Sequence, residues 1–164
     1  MKTVEIKLYK FSELSEEAKE RVLTDHYDIN LFPEWWDGVY DDAAQVGLRI
    51  TEFDLDHKSI SGKFIDSAPA VAEAILAEHG KICETYKTAK SFLSDLEELT
   101  GKYTDIEDCP EDDIEALEDD FLHSILEDYR IMLDNEYDYL TGKEAIIETI
   151  EANEYDFTED GKIY

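Results

Sequence analysis

The sequence predicts an α+β fold: a small antiparallel sheet of about four or five strands, packed with about six helices in a single domain spanning residues 1–164. Three observations point there. Apolar and polar residues alternate over residues 3–11, 48–56 and 60–65, the period of half-buried strands. Most of the remaining chain repeats its apolar residues at three and four, punctuated by cap residues, prolines and glycines. Finally, a hydrophobic fraction of 43%, with ten Tyr and two Trp, supplies a core that a disordered acidic chain would lack.

The elements follow in order. In residues 3–11, Val4, Ile6 and Leu8 share one face, which reads as a first strand. Ser12 and Ser15 are cap candidates for a helix over about 15–29, whose stripe is Ala18, Val22, Leu23 and Tyr27. Pro33 suits the first turn of a second helix that ends at Gly47, with Trp36, Val39 or Tyr40, Ala43 and Val46 inward. The next two strands form a hairpin around a polar turn at residues 57–59. The alternation slips between Ile50 and Phe53, which predicts a bulge near Thr51. Ala68-Pro69 opens a helix that Gly80 closes, and another runs over about 82–99.

The chain then becomes strongly acidic. Ten of the sixteen residues from 105 to 120 are Asp or Glu, and none is Lys or Arg. Pro110 fits the start of a helix, and Glu111, Asp112 and Asp113 suit its positive end. On a wheel of about 100° per residue, Ile114, Phe121, Ile125 and Met132 fall in one line, with Leu117, Leu122 and Tyr129 beside it. Asp119, Asp120, Glu127 and Asp134 fall opposite, while Glu118 points into the apolar stripe. Unbroken to Leu140, this helix would be about 46 Å long at about 1.5 Å per residue. Thr141-Gly-Lys-Glu144 reads as a capping box for a short last helix, and Asp160-Gly161 as a tight turn, of a C-terminal hairpin or before a last strand.

The formal net charge of −28 is unevenly spread. Residues 1–90 hold 18 acids against 11 bases, and residues 91–164 hold 25 against 4, so 21 net negatives lie in the second part. Such a surface repels nucleic acid and anionic membranes and attracts basic proteins. No apolar run reaches the length of a membrane span, and the first residues carry no secretion signal, so the expected compartment is the cytoplasm. There, Cys83 and Cys109 read as unpaired thiols.

Signatures of chemistry are absent. No glycine-rich phosphate loop, nucleophile elbow or H-E-x-x-H pair occurs, so no catalytic residue and no cofactor are expected. His79 and Cys83 lie four apart, the spacing of two zinc ligands, but Gly80 between them breaks the helix that would align them. Asp156 to Gly161 matches the first half of an EF-hand loop, without the bidentate Glu at its twelfth position. Weak divalent binding along residues 105–120 is expected, and a dedicated metal site is not.

The stretches Phe32-Pro-Glu-Trp-Trp-Asp-Gly-Val-Tyr-Asp-Asp-Ala, Ile50-Thr-Glu-Phe-Asp-Leu-Asp, and Glu127-Asp-Tyr-Arg-Ile-Met-Leu onward resemble a group of small acidic proteins encoded by bacteria, their phages and mobile elements. This resemblance implies a mobile-element setting and carries no activity or site residues. In charge and size, the chain is also similar to DNA-mimic inhibitors of the anti-restriction and anti-CRISPR type.

Charge and resemblance together lead to the expectation of a non-enzymatic DNA mimic that blocks the basic channel of a nucleic-acid-binding protein, such as a host nuclease or CRISPR effector. B-DNA carries one charge per about 1.7 Å of axis, so the 21 net negatives match about 36 Å of duplex. The residues expected to meet the partner are Asp112, Glu115, Glu118, Asp119, Asp120, Glu127 and Asp134, with Trp35 as an aromatic anchor. The alternative is a protein-binding regulator or antitoxin that docks through an apolar patch near Trp35 and Tyr40. Neither reading involves nucleic acid or a membrane as the direct partner.

Overall fold

The structure is a computed structural model that describes residues 1–164. It is α+β, with six helices and one two-stranded antiparallel sheet. The chain gathers into two compact units: a central unit, Trp36–Asp134, and a terminal unit made of Met1–Trp35 and Asn135–Tyr164. No helix is long and apolar enough to cross a membrane.

In the central unit, α2 (Asp37–Gln45) leads to the hairpin β1 (Leu48–Asp54) and β2 (Ser59–Phe64). The predicted start of α2 at Pro33 moves to Asp37, because Glu34 sits at φ 62, a left-handed conformation no α-helix includes. Gly47, at φ 89, makes the sharp exit from α2, and its carbonyl accepts from Ile65 N at 2.7 Å. The hairpin register shifts between Ile50 and Glu52, leaving Thr51 as the bulged residue that the slipped alternation predicted. Two helices follow. In α3 (Ala68–Glu78), Ser67 Oγ accepts from Ala70 N at 3.3 Å, and α4 (Glu84–Thr100) comes next.

A short 3-10 turn, Ile106–Asp108, precedes α5, which runs unbroken over Glu111–Leu140, 30 residues. It belongs to the central unit as far as Asp134. Phe121 on α5 stacks on Phe92 of α4 with centroids 4.4 Å apart, and lies 5.4 Å from Phe64 of β2. Around them Val71, Ala72, Ile75, Leu48 and Ile125 are fully buried. Gly62 is required by this packing: a Cβ there would come within 2.8 Å of Leu126 Cδ2 and 2.5 Å of the Arg49 carbonyl.

The terminal unit has its own cluster of Phe11, Leu14, Ala18, Val22, Ile146, Ile150 and Phe157. It is built from α1 (Glu16–Asp25), α6 (Lys143–Ala152) and the two ends of the chain. Ser15 Oγ caps α1 by accepting from Ala18 N at 3.1 Å. The expected capping box of α6 does not form. Thr141 Oγ1 instead donates back to the Tyr137 carbonyl at 2.8 Å, and Gly142 occupies the cap position.

The expected four or five strands are corrected to two. Residues 3–11 form no strand: only Tyr9 pairs, with Phe157, and Phe11–Glu13 turns into a 3-10 helix. The C-terminal hairpin likewise reduces to one bridge, Phe157 with Ile163. Alternation marked these segments as extended, but a ladder needs a partner of matching length, and none lies beside residues 3–8.

Candidate functional site

The site begins where the chain has the fewest bases. Residues 91–126 hold thirteen carboxylates against one Lys, Lys102. None of the thirteen takes part in any of the protein's nine ion pairs. Asp105 alone has a local structural use, accepting from Glu107 N at 3.2 Å to cap the 3-10 turn.

The first turns of α5 place these charges. Glu111, Asp112 and Asp113 sit at the positive end of the helix dipole, so folding tolerates them there. Asp112, Glu115 and Asp119, spaced three and four apart, lie within about 60° of one another on the helix surface. All three are exposed, as is Asp120. Asp120 turns toward α4, where it joins Asp95, Glu98 and Asp113 along an open groove of about 340 Å³ that also holds Lys102. Glu118 is half-buried, in keeping with its predicted position in the apolar stripe.

The structure divides the predicted row. Glu127 and Asp134 do not extend the free acidic face, because Arg130 takes both. Its Nη2 meets Glu127 Oε1 at 2.6 Å, its Nε meets Glu127 Oε2 at 2.9 Å, and its Nη1 meets Asp134 Oδ2 at 2.9 Å. Arg130 is only 8% exposed. The bidentate guanidinium contact holds the Glu127 carboxyl below its usual range, and Glu127 in turn raises Arg130. The cause of the division lies in packing. Leu126 and Leu133 are buried as well as Phe121, Ile125 and Tyr129, so the middle of α5 is enclosed over more of its circumference than the simple apolar stripe implied. Arg130 was legible as a signal: it is the one Lys or Arg between Lys102 and Lys143, with acids at i−3 and i+4.

Trp35 belongs to the terminal unit and is half-buried, its ring 5.7 Å from that of Tyr137. In the central unit, Trp36 and Tyr40 both approach Phe53, at 5.7 and 6.1 Å.

No family model, curated protein or solved structure matches the chain.

A buried polar cluster went unread in the sequence. Tyr129, fully buried, donates its hydroxyl to Asp42 Oδ2 at 2.7 Å, and the same oxygen lies 3.1 Å from His79 Nε2. His79 Nδ1 meets Thr85 Oγ1 at 2.6 Å. Burial and the Asp42 contact push the Tyr129 hydroxyl well above its ordinary pKa, so it stays a donor. The cluster ties α2, the end of α3, α4 and α5 to one another. Its His79, one half of the two-ligand spacing with Cys83, meets Thr85 and Asp42. No three or more His, Cys, Asp or Glu side chains converge to hold a metal. Both cysteines are free thiols, Cys83 exposed and Cys109 buried.

Proposed function

We propose that this protein is a non-enzymatic inhibitor, of phage or mobile-element origin, that imitates DNA and occupies the basic channel of a nucleic-acid-binding protein such as a host nuclease or CRISPR effector. The observation that carries the reading is the unpaired state of the carboxylates in residues 91–126: the ordered helix α5 presents seven of them, and none of the thirteen forms an ion pair with a cation of the chain. With twelve net negatives in that stretch, the free charge matches about 20 Å of duplex at one charge per about 1.7 Å. The surface in question is Asp112, Glu115, Asp119 and Asp120, with Glu118 at its inner margin. Glu127 and Asp134 drop out as direct contacts.

A basic channel shaped for phosphates would accept these carboxylates by charge-assisted contacts and long-range attraction. The test is competition. A complex captured from a host lysate is expected to dissociate when challenged with duplex DNA or with about 1 M salt, since the Debye length there falls to about 3 Å. Changing Asp112, Glu115, Asp119 and Asp120 to Lys is expected to abolish binding while circular dichroism stays unchanged. Binding indifferent to DNA, salt and this variant would overturn the reading.

One observation favours a second reading, a protein-binding regulator or antitoxin. In the terminal unit Phe32 is 69% exposed and Tyr27 51%, apolar surface in the same unit as Trp35. Such an interface would persist in high salt and fail on Trp35→Ala or Phe32→Ser.

A further inference from the structure

The first eight residues are one of the few stretches of the chain that are not net negative, and the fold makes little use of them. They carry Lys2 and Lys7 against Glu5. Their backbone makes no hydrogen bond to the rest of the molecule. Val4 is 76% exposed and Ile6 53%. The next residue, Tyr9, is anchored: its N–H and C=O both pair with Phe157, at 2.8 Å each. Phe157 is paired on its other side by Ile163. The segment through Tyr9 is therefore the outer edge of this three-segment arrangement. Lys7 Nζ lies 5.4 Å from the centre of the Tyr9 ring, so residues 7 and 9 share a face, as in an extended chain.

The direction of the edge fixes what could pair with it. Backbone groups alternate along a strand, and those of Tyr9 point to Phe157. Those of Leu8, Ile6 and Val4 then point outward, away from the protein's own sheet bridge. We propose that residues 3–9 of two copies of this chain pair antiparallel across a two-fold axis at Ile6, forming a homodimer through this open edge.

The sequence is self-complementary in that register. Ile6 opposes Ile6 of the second copy, Val4 opposes Leu8, Glu5 opposes Lys7, and Thr3 opposes Tyr9. Ile6 with Ile6 and Val4 with Leu8 are the hydrogen-bonded pairs, giving about six backbone bonds, and this is the parity that the Tyr9–Phe157 bridge leaves open. Glu5 and Lys7 fall at a non-hydrogen-bonded position, where side chains approach most closely, so the two-fold axis makes two Lys–Glu pairs, one from each copy's Lys7. Shifting the register by one residue would set Ile6 and one of Val4 and Leu8 against charged residues and lose this match. Lys10, which would face Lys2 at the margin, is already neutralised by Asp156 at 2.8 Å. Two chains of net charge −28 thus meet through a stretch that is not negative.

Sedimentation equilibrium of the full chain, from about 5 μM to about 1 mM, tests this, a range chosen because a two-stranded ladder alone is marginal in water. The wild type is expected to dimerise with concentration. Ile6→Pro, which removes the central donor at a residue whose backbone makes no hydrogen bond within the fold, is expected to be monomeric throughout. Lys7→Glu is expected to weaken the dimer about tenfold by setting Glu against Glu, and Glu5→Lys with Lys7→Glu to restore it. A wild type that is monomeric at every concentration, a dimer that survives Ile6→Pro, or a double variant that fails to recover would each overturn the proposal.

Discussion

Two acidic stretches of one helix behave differently. At the start of α5, residues 111–120 carry seven carboxylates that bind no cation of the chain. Further along, Glu127 and Asp134 are just as acidic, yet both are held by Arg130. The difference arises from how much of the helix is covered. Around Gly62 the hairpin comes against Leu126, and the helix there buries a wide arc that takes in Arg130. A guanidinium in that setting needs carboxylates, and its neighbours supply them. Nearer the start, only Ile114, Leu117 and Glu118 are partly covered, and the other acids face water. Charge that the fold pairs and charge that the fold leaves unpaired thus occur within about two turns of each other on one helix.

Core truncation should separate the stretches most sharply. Ile125→Ala, at a fully buried position, is expected to cost about 3 kcal/mol, and Ile114→Ala, at a half-buried one, about 1 kcal/mol. Urea midpoints at constant m-value measure both. Equal costs would mean that the start of α5 is as firmly packed as its middle, and the comparison would fail.

Removing the clamp comes next. Arg130→Met keeps the apolar bulk but releases Glu127 and Asp134, and is expected to cost about 1–2 kcal/mol, between the values for exposed and buried pairs. Because Arg130 holds the Glu127 carboxyl below its ordinary range, the contribution is fully present above the unfolded carboxylate pKa and is lost as pH falls through the depressed folded value. The variant should therefore lose most at neutral pH and converge with the wild type in acid. A penalty independent of pH would show that packing of the stem, rather than the ion pairs, is what Arg130 contributes.

Screening gives the smallest effect. Neutralising Asp119 and Asp120 to Asn is expected to raise stability by a few tenths of a kcal/mol at low salt, by relieving repulsion among unpaired charges. That gain should shrink as salt rises from about 0.05 to about 0.5 M. Loss of stability instead would reveal a structural role for these two carboxylates and weaken the proposed docking surface.

Much of the central unit was legible because its signals are local. The bulge at Thr51 follows from a break in alternation, and the closure of α2 at Gly47 from the conformational freedom of glycine. The unbroken course of α5 follows from periodic apolar residues without Gly or Pro from 111 to 140. The failures share a cause too. Residues 3–8 alternate like a strand, but pairing is a property of two segments, and alternation in one does not supply the other. Pro33 is compatible with a helix start, but Glu34 at φ 62 breaks the helical path before α2 begins. Asp42, the His79–Thr85 pair and Tyr129 are far apart in sequence, so no spacing rule could gather them.

For the candidate site the division is similar. By itself the sequence determined that residues 91–164 would be intensely negative, that the acids at the start of α5 would be tolerated by the helix dipole, and that apolar residues at helical spacing would hold the stretch in order. Only the tertiary structure decided which carboxylates stay free. That outcome depends on how far the hairpin and α4 wrap α5 at each turn, because a carboxylate beside a buried guanidinium is an internal counter-ion, whereas the same group on an uncovered turn faces outward with its charge intact.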